Sequence, residues 1–433
     1  MKRLLIVSYY WPPTGGSGVQ RWVKFAKYLP SLGWQPVVYT PENPEQLAVD
    51  ESLSGDVPEC AEVIKTHITE PYGLYRSIFG GGKKKGAGVN PLNAQKKSWK
   101  QKLAVLLRGN LFIPDPRVWW VRPSVKYLKR YLQDHPVDAM VTTGPPQSMH
   151  LIGLGLKKAL GDRAPRWIVD FRDPWTEMFY FKHLGLLPFA ERRHRRLEQR
   201  VLDASDDIIS VTPLVQADFQ ARTATPVHLI TNGFDPDDFS SAACASDGFF
   251  RIVHTGLFAS DGNPVSLWDA LAGMTEADPV FKEKLRIVLA GKVDAEIVEA
   301  LDARGLSENL ELPGYLSHPD TVALQGSASM LILPLRCEPE YRKVLPGKIF
   351  EYLAARRPVL GIGQEDGAAA AVLRDAAAGE MHDWDRGAEI AAFTEMCWKR
   401  FLSGEETRVS SDIERYSRPA LAKKLVDLLN STI

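Results

Sequence analysis

Lys348 and Glu351 are the two side chains whose types and spacing most directly suggest binding chemistry in this sequence. They fall in the first turn of a helix predicted by the apolar stripe of segment 346–360, directly after Gly347. A buried-strand pattern at 329–335 precedes the helix, so the unit reads strand, loop, helix, strand. In such a unit the helix N-terminus lies at the carboxyl end of the strand, where open α/β sheets bind ligands.

The chemistry offered by this helix start is the binding of anions and hydroxyl groups. Free backbone N–H groups and the helix dipole favour a phosphate. Lys348 adds a positive charge in the turn where the dipole disfavours it, which suggests that an anion comes to sit there. The carboxylate of Glu351 can accept two hydroxyl hydrogen bonds, as from a ribose. The alternative is an ordinary amphipathic helix with solvated charges.

A glycine-rich loop follows the first predicted strand, at 3–8, and contains Gly15 and Gly16. Glycine lets backbone N–H groups approach a ligand closely. A helical pattern and a second strand, at 36–40, come next, which gives a Rossmann-like opening without the dinucleotide-binding fingerprint. The loop is therefore either a ligand contact or a plain tight turn.

His150, Arg172 and Asp173 follow two later strands of the first half. The strand at 137–143 turns into a helix that carries His150, and Arg172 and Asp173 come directly after the strand at 167–171. Because chemistry gathers at this end of parallel strands, all three are predicted in a ligand site. The alternatives are a structural histidine and an Arg–Asp pair that holds its own loop.

Length and composition bound the class of protein. The 433 residues predict two domains, and 45% hydrophobic with 24% charged residues is typical of a soluble globular protein. Four scattered cysteines lack metal-ligand spacing, and with no signal peptide they predict a reducing cytoplasm. No apolar run is long enough to span a bilayer.

The net charge of zero conceals an asymmetry between the two halves. Residues 1–235 hold 32 Lys/Arg and 22 Asp/Glu, whereas residues 236–433 hold 21 and 31. A basic half suggests contact with an anionic surface, and no nucleic-acid motif accompanies it. The segment 83–130 combines cations with Trp, Phe and Leu, as an interfacial membrane anchor requires. A disordered loop with a packed helix is the alternative, and the arginine run at 192–200 offers either a lipid-phosphate contact or a solvated face.

The segment 343–360 resembles the donor-binding helix of retaining GT-B glycosyltransferases of the family-4 type. Their motif is Glu, seven residues, Glu, a small-residue tail and Pro-Val. Glu351 matches the second Glu, which in that family binds the ribose hydroxyls of a sugar nucleotide, and Lys343 stands where the first Glu contacts the donor sugar. The chain most resembles a bacterial subgroup of surface-polysaccharide transferases, with which it shares three further stretches: Ile113-Pro114-Asp115, Thr143-Gly144-Pro145-Pro146 and Asp170-Phe171-Arg172-Asp173-Pro174-Trp175.

The resemblance implies an α/β GT-B fold of two Rossmann-like domains that face each other across a cleft. The acceptor-binding domain would span 1–235, the nucleotide-sugar-binding domain 236–415, and the C-terminal helix at 416–433 would pack back on the first domain. The family has Arg after the glycine that corresponds to Gly256 and a Lys soon after, both on the diphosphate, but 255–281 contains neither Lys nor Arg. The candidate residues are therefore His150, Lys348 and Glu351 for catalysis; Gly15, Gly16, Gly256, Lys292, Tyr315, Arg342, Lys343 and Gly347 for donor binding; and Arg172 and Asp173 for the acceptor.

The predicted reaction is sugar transfer from a UDP- or GDP-linked donor to a growing, lipid-linked bacterial glycan. The resemblance implies retention of anomeric configuration, no metal, and no cofactor beyond the nucleotide-sugar co-substrate. The predicted location is the cytoplasm, with peripheral contact on the inner face of the membrane and no nucleic-acid partner. The alternatives are a GT-B-fold sugar-nucleotide 2-epimerase and a non-catalytic sugar-nucleotide or glycan-binding protein.

Overall fold

The computed structural model describes residues 1–45, 49–70, 106, 109–178, 181–239, 247–405 and 412–431. The chain divides into two compact units, Met1–Thr231 with Leu421–Ile433, and Asn232–Ala420. The first unit contains a parallel sheet of seven strands and the second a parallel sheet of six. The predicted α/β class, with one Rossmann-like sheet in each of two units, is confirmed.

The first sheet is built from short apolar strands that helices cover on both faces, as is typical of parallel sheets. In space the order is β3-β2-β1-β4-β5-β6-β7, so the order of connection reverses between β1 and β4. A crevice forms at such a switch point, outside the carboxyl ends of the strands. The strands are β1 (Lys2–Val7), β2 (Trp34–Pro41), β3 (Glu62–Thr66), β4 (Ala139–Gly144), β5 (Arg166–Phe171), β6 (Asp207–Ser210) and β7 (Val227–Leu229).

The helices of the first unit connect these strands and bury large aromatic residues against them. Trp22, Trp120 and Trp167 are each about 1% exposed or less, and Trp120 stacks on Tyr39 with 4.9 Å between the ring centroids. The helices are α1 (Ser17–Tyr28), α2 (Val118–Asp134), α3 (Ser148–Leu160), α4 (Pro188–Ala204) and α5 (Pro213–Gln220).

The second sheet repeats this plan with the order β10-β9-β8-β11-β12-β13, so its switch point lies between β8 and β11. The predicted strand before the Lys348 helix is present, because Met330, Leu331, Ile332 and Leu333 are buried in the middle of the sheet. The strands are β8 (Phe250–Thr255), β9 (Leu285–Ala290), β10 (Leu310–Gly314), β11 (Met330–Pro334), β12 (Val359–Ile362) and β13 (Gly379–His382).

The helices of the second unit begin with sequence signals that explain their positions. Asp278 accepts a hydrogen bond from the N–H of Val280, and Ser317 accepts one from the N–H of Asp320, so each caps its helix. The helices are α6 (Val265–Ala277), α7 (Pro279–Lys284), α8 (Ala295–Asp302), α9 (His318–Gly326), α10 (Lys348–Ala355), α11 (Ala368–Asp375) and α12 (Gly387–Ser403).

The last helix, α13 (Arg418–Asn430), contributes most of its length to the first unit. Leu425 and Leu429 are fully buried in one cluster with Leu4 and Trp22. The guanidinium of Arg166 also donates to the carbonyl of Leu428 at 2.8 Å. The two units divide after residues 231 and 420, a few residues away from the domain limits of 235 and 415 expected from the sequence.

Candidate functional site

The switch point of the second unit brings Gly256, after β8, next to the start of α10. Gly256 has a φ of +96°, which favours glycine, and a Cβ at this position would lie 3.3 Å from the Nζ atom of Lys348. Lys348 is the first residue of α10, so its N–H group and that of Gly347 have no acceptor inside the helix. The ammonium group of Lys348 and the helix start therefore meet at the carboxyl end of the sheet.

His254 holds the ammonium group of Lys348. The Nζ atom lies 3.0 Å from Nε2 of His254, which is 1% exposed. Since an ammonium only donates, Nε2 is the acceptor and the imidazole proton is on Nδ1. Burial and the charge of Lys348 keep the pKa of His254 well below its usual 6.5, so the imidazole is neutral. Two N–H donors of Lys348 remain for an anion.

The charge of Lys348 is itself sensitive to its surroundings. Burial lowers the pKa of Lys348 from 10.5 to about 8, and the carboxylate of Glu351 partly opposes this shift. Near neutral pH the side chain is charged, and a bound anion would raise its pKa further.

Glu351 lies one turn into α10 and is held by Gln325 of α9. The amide Nε2 of Gln325 donates to Oε2 of Glu351 and to Oγ1 of Thr255, each at 3.0 Å. The backbone N–H of Thr255 donates to the hydroxyl of Tyr352 at 3.0 Å. Thr255, Gln325 and Tyr352 are buried, whereas Glu351 remains partly exposed, so a rigid network presents one carboxylate to solvent.

Glycines with positive φ also lie at the ends of β9 and β10. Gly291 follows β9 and donates to the carbonyl of Gly314 at 2.7 Å, and Gly256 donates to the carbonyl of Ala290 at 2.8 Å. A Cβ on Gly291 would lie 2.4 Å from the carbonyl oxygen of Gly256, so this packing requires glycine. Tyr315, directly after Gly314, is 87% exposed.

Three other predicted donor residues lie in exposed or partly exposed positions. Lys292, after Gly291, has an exposed side chain. Arg342 forms an ion pair with Asp366 at 2.9 Å, and Lys343 ends the short 3₁₀ helix Pro339–Lys343.

Asp170 is the centre of a buried network in the first unit. Its carboxylate accepts from Arg21 at 2.8 Å, from the indole N–H of Trp22 at 2.7 Å and from the hydroxyl of Thr143 at 2.9 Å. Burial alone would raise the pKa of Asp170, but Arg21 and these hydrogen bonds lower it below its usual value. The network ties α1 to the ends of β4 and β5.

Arg172 joins the first turn of α1 to the loop after β4. Its guanidinium donates to the carbonyl of Gly18 at 2.8 Å and to that of Pro145 at 3.3 Å. Arg172 therefore holds the loops around it through these carbonyls, and its charge also acts on the neighbouring Asp173. Burial raises the pKa of Asp173, the Arg172 charge opposes this effect, and Asp170 adds to it.

His150 is fully buried in α3 and held in its neutral form. Nδ1 lies 3.0 Å from Oγ1 of Thr142, which also accepts from Trp167 at 3.0 Å, so the hydroxyl proton is free to point at Nδ1. Nε2 has no partner among the described atoms. Burial lowers the pKa of His150 to about 3, and Asp170 opposes this shift. The side chain of Asp115 accepts from the N–H of Ser148 at 2.8 Å, which fixes the start of this helix.

Gly15 and Gly16 lie in the loop before α1. A Cβ on Gly15 would lie 2.9 Å from that of Asp50, whereas Gly16 has a φ of +106° and open space around its Cα. Gly16 directly precedes α1 at the switch point of this unit, and its carbonyl accepts from the N–H of Val19 at 3.0 Å.

Residues 251–394 match the family model described as "Glycosyl transferases group 1". The matched region contains His254, Gly256, Gln325, Lys348 and Glu351, the residues of the candidate site in the second unit. No curated protein sequence matches the chain.

The whole chain shares its fold with solved structures at low sequence identity. Sucrose-phosphate synthase from Thermosynechococcus elongatus is 14% identical, with a TM-score of 0.62 over 100% of this chain and 99% of that one. WaaG, a glycosyltransferase involved in lipopolysaccharide biosynthesis, is 14% identical, with a TM-score of 0.54 over 99% of both chains. Anabaena Alr3699/HepE, solved in complex with UDP-glucose, is 13% identical, with a TM-score of 0.59 over 100% of both chains. The fold and the family match together support a GT-B glycosyltransferase.

The described residues contain no group of three or more His, Cys, Asp or Glu side chains arranged to hold a metal ion. Within the same residues, every helix is too short or too polar to cross a bilayer. The cations at 83–105 that belong to the predicted membrane segment lie outside the described residues.

Proposed function

We propose that the protein transfers a sugar, with retention and without a metal, from a UDP- or GDP-linked donor to a lipid-linked bacterial surface glycan. The observation that carries the proposal is the pair of held side chains at the switch point of the second unit. His254 directs the ammonium of Lys348 beside Gly256, and Gln325 fixes the carboxylate of Glu351 three residues later. At this spacing the cation suits the diphosphate of a nucleotide sugar, and the carboxylate suits its ribose, whose hydroxyl groups would donate hydrogen bonds to it.

In the proposed reaction, the bond between the sugar C1 and the diphosphate oxygen breaks and a bond from C1 to the acceptor oxygen forms. The diphosphate leaves with the electron pair, and Lys348 with the start of α10 offsets its growing negative charge. The acceptor proton passes to the departing phosphate oxygen on the same face of the sugar. Tyr315 provides an exposed ring for the nucleobase.

The comparisons support a sugar-nucleotide donor and a glycan acceptor. The family match covers the donor-binding candidates of the second unit. One protein of the same fold was solved with UDP-glucose, and another is involved in lipopolysaccharide biosynthesis. Lys348 and Lys343 take the role of the basic pair that the family has in the stretch corresponding to 255–281.

A panel of UDP- and GDP-sugars tests the proposal in two steps. Thermal shift and calorimetry identify the donor that binds, and that donor is then incubated with bacterial membrane extract. Release of the nucleoside diphosphate that depends on the extract, together with label in the glycan, supports transfer. A donor converted to its 2-epimer without transfer would favour the epimerase, and binding without either reaction would favour a non-catalytic protein.

The proposed contact with the membrane uses a surface of the first unit that we call the α2–α4 surface. Asn110, in the segment before α2, is bonded to the loop before α4, because its Oδ1 accepts from the N–H of Leu187 at 2.7 Å. The segment before α2 and the loop before α4 therefore lie side by side. The surface has an exposed aromatic residue at the start of each helix, followed by exposed cations on the same helical face. It consists of Leu111, Trp119, Arg122, Lys126, Leu187, Phe189, Arg192, Arg193 and Arg196.

Vesicle co-sedimentation tests this contact. Each cation near an anionic leaflet contributes about 1 kcal/mol, so Arg192→Ser, Arg193→Ser and Arg196→Ser together should abolish most binding to phosphatidylglycerol vesicles. Exposed cations elsewhere on the same unit, changed as Arg163→Ser, Lys423→Ser and Lys424→Ser, serve as the matched control. Binding that is equal on pure phosphatidylcholine, or that salt does not weaken, would contradict the electrostatic account.

A further inference from the structure

Gln325 is a buried polar residue whose interactions all lead to the donor site. It is 0% exposed, near the end of α9, and its amide nitrogen bonds both Thr255 and Glu351. Its carbonyl oxygen, Oε1, has no partner among the described atoms. A buried polar group is costly unless its bonds are satisfied, so a glutamine here needs a reason beyond packing.

The orientation of the amide follows from chemistry. A carboxylate only accepts hydrogen bonds, so the group that faces Oε2 of Glu351 must be the NH₂ of Gln325. One N–H goes to Glu351 and the other to the hydroxyl of Thr255, which uses both amide protons. The side chain can rotate only by losing a bond to one of them.

Thr255 is itself fixed by the residue next to Glu351. Its backbone N–H donates to the hydroxyl of Tyr352, which is fully buried and kept neutral because burial raises its pKa to about 12. The contacts run from α9 to the end of β8 and on to the first turn of α10. Gln325 therefore completes a hydrogen-bond network of buried residues, and the carboxylate of Glu351 is its exposed group.

We infer that Gln325 is a positioning residue that orients the Glu351 carboxylate to receive the ribose hydroxyls of the donor. By occupying one side of Oε2, it leaves Oε1 and the remaining lone pairs directed at the ligand. This inference rests on the proposed function, which assigns the ribose to Glu351. It adds a requirement that Glu351 alone does not impose, namely that ribose recognition depends on an amide from a different helix.

The test is a double-mutant cycle between Gln325 and the ribose hydroxyls. The affinities of UDP and GDP and of their 2′-deoxy and 3′-deoxy forms are measured by calorimetry for the wild type and for Gln325→Met. Methionine keeps the length of the side chain and removes the donor. Gln216→Met is the matched control, because this glutamine bonds the carbonyl of Val227 in the first unit and has no contact with the site.

The expected result is that Gln325→Met loses the energetic coupling between residue 325 and the ribose hydroxyls. In the wild type, removing a bonded ribose hydroxyl should weaken the nucleotide about tenfold or more, the effect of a hydrogen bond to a charged group. In Gln325→Met the ribonucleotide should bind about tenfold more weakly, and the penalty for the deoxy form should shrink to about twofold. Gln216→Met should keep the full wild-type penalty.

Two outcomes separate this inference from the proposed function. If the wild type binds neither nucleotide, or binds ribo and deoxy forms equally, the assignment of the ribose to Glu351 fails and the inference falls with it. If the wild type discriminates and a folded Gln325→Met discriminates equally, the function stands and the inference is overturned.

Gln325→Glu gives a second readout that a purely structural role would not produce. It sets two carboxyl groups about 3 Å apart, so that one shared proton restores the missing donor. Relative to wild type, its nucleotide affinity should rise severalfold from about pH 7 to about pH 5. The groups facing this pair are Lys348, which stays charged over the range, and Tyr352 and His254, which stay neutral. A ratio to wild type that does not change with pH would contradict the positioning role.

Discussion

In the proposed site, Lys348 should make donor binding depend on pH, because burial lowers the pKa of its ammonium group. With a pKa of about 8, its ammonium is about 90% protonated at pH 7 and about 10% at pH 9. The affinity of a nucleoside diphosphate for the free protein should therefore fall nearly tenfold between these values. The neighbouring His254 is neutral throughout and contributes nothing to the change.

The stability of the fold should change in the opposite direction. The pKa of Lys348 is lower in the folded state than the usual 10.5, so the unfolded chain binds more protons between about pH 8 and 10.5. The burial penalty is fully present below pH 8 and is relieved as pH rises through this window. The shift corresponds to about 3 kcal/mol at most, and to less where solvent reaches the ammonium. If nucleotide affinity falls while the free energy of unfolding rises, unfolding is excluded as the cause of the weaker binding.

Calorimetric titration with UDP and GDP at pH 7, 8 and 9 measures the effect. Lys348→Met keeps the length of the side chain and removes the charge, so its affinity should be low and independent of pH. Lys282→Met, on an exposed lysine of α7 in the same unit, should behave like the wild type. An affinity of the wild type that is flat from pH 7 to 9, or a Lys348→Met protein that binds as tightly as the wild type, would refute the reasoning.

Three further changes test separate parts of the structure. Glu351→Gln should weaken nucleotide binding by about 1.5–3 kcal/mol, with the melting temperature nearly unchanged, and equal affinities by calorimetry would contradict the ribose assignment. Gly291→Ala should destabilise the second unit by about 2–4 kcal/mol in urea, because its Cβ would meet the carbonyl of Gly256 at a φ of +110°; an unchanged midpoint would mean that these loops can move apart. Asp170→Asn should cost about 3–5 kcal/mol, since it leaves the Arg21 charge buried and uncompensated, and a loss below about 1 kcal/mol would argue against a buried ion pair.

The sequence was sufficient to predict the strands and the helix of the proposed donor site, because both depend on local patterns. Buried parallel strands appear as apolar runs, and Gly347 before an apolar helical stripe marks the start of α10. These signals put Lys348 and Glu351 at the carboxyl end of β11, where the structure has them.

The partners of these side chains could not be predicted, because they come from distant parts of the chain. His254 lies 94 residues before Lys348 and looks like one more residue of a buried strand. Gln325 looks like a polar position on a short helix. The one available signal was that His254 and Thr255 directly precede Gly256, at the end of the central strand.

In the first unit, too, the partners of charged side chains could not be predicted from the sequence. The adjacent Arg172 and Asp173 are the charged residues that stand out in the sequence, but the buried ion pair is Asp170 with Arg21, from a helix that starts more than a hundred residues earlier. Arg172 also donates to the carbonyls of Gly18 and Pro145. Neighbouring charges in a sequence do not reveal which of them the fold will bury.

A crystal structure with the nucleoside diphosphate of the donor that binds most tightly tests the central claim most directly. The account predicts that the diphosphate oxygens lie within hydrogen-bond distance of Lys348 Nζ, beside Gly256, and that the ribose hydroxyls bond the carboxylate of Glu351. A nucleotide bound elsewhere on the chain, or one in this site with its diphosphate away from Lys348 and its ribose away from Glu351, would contradict it.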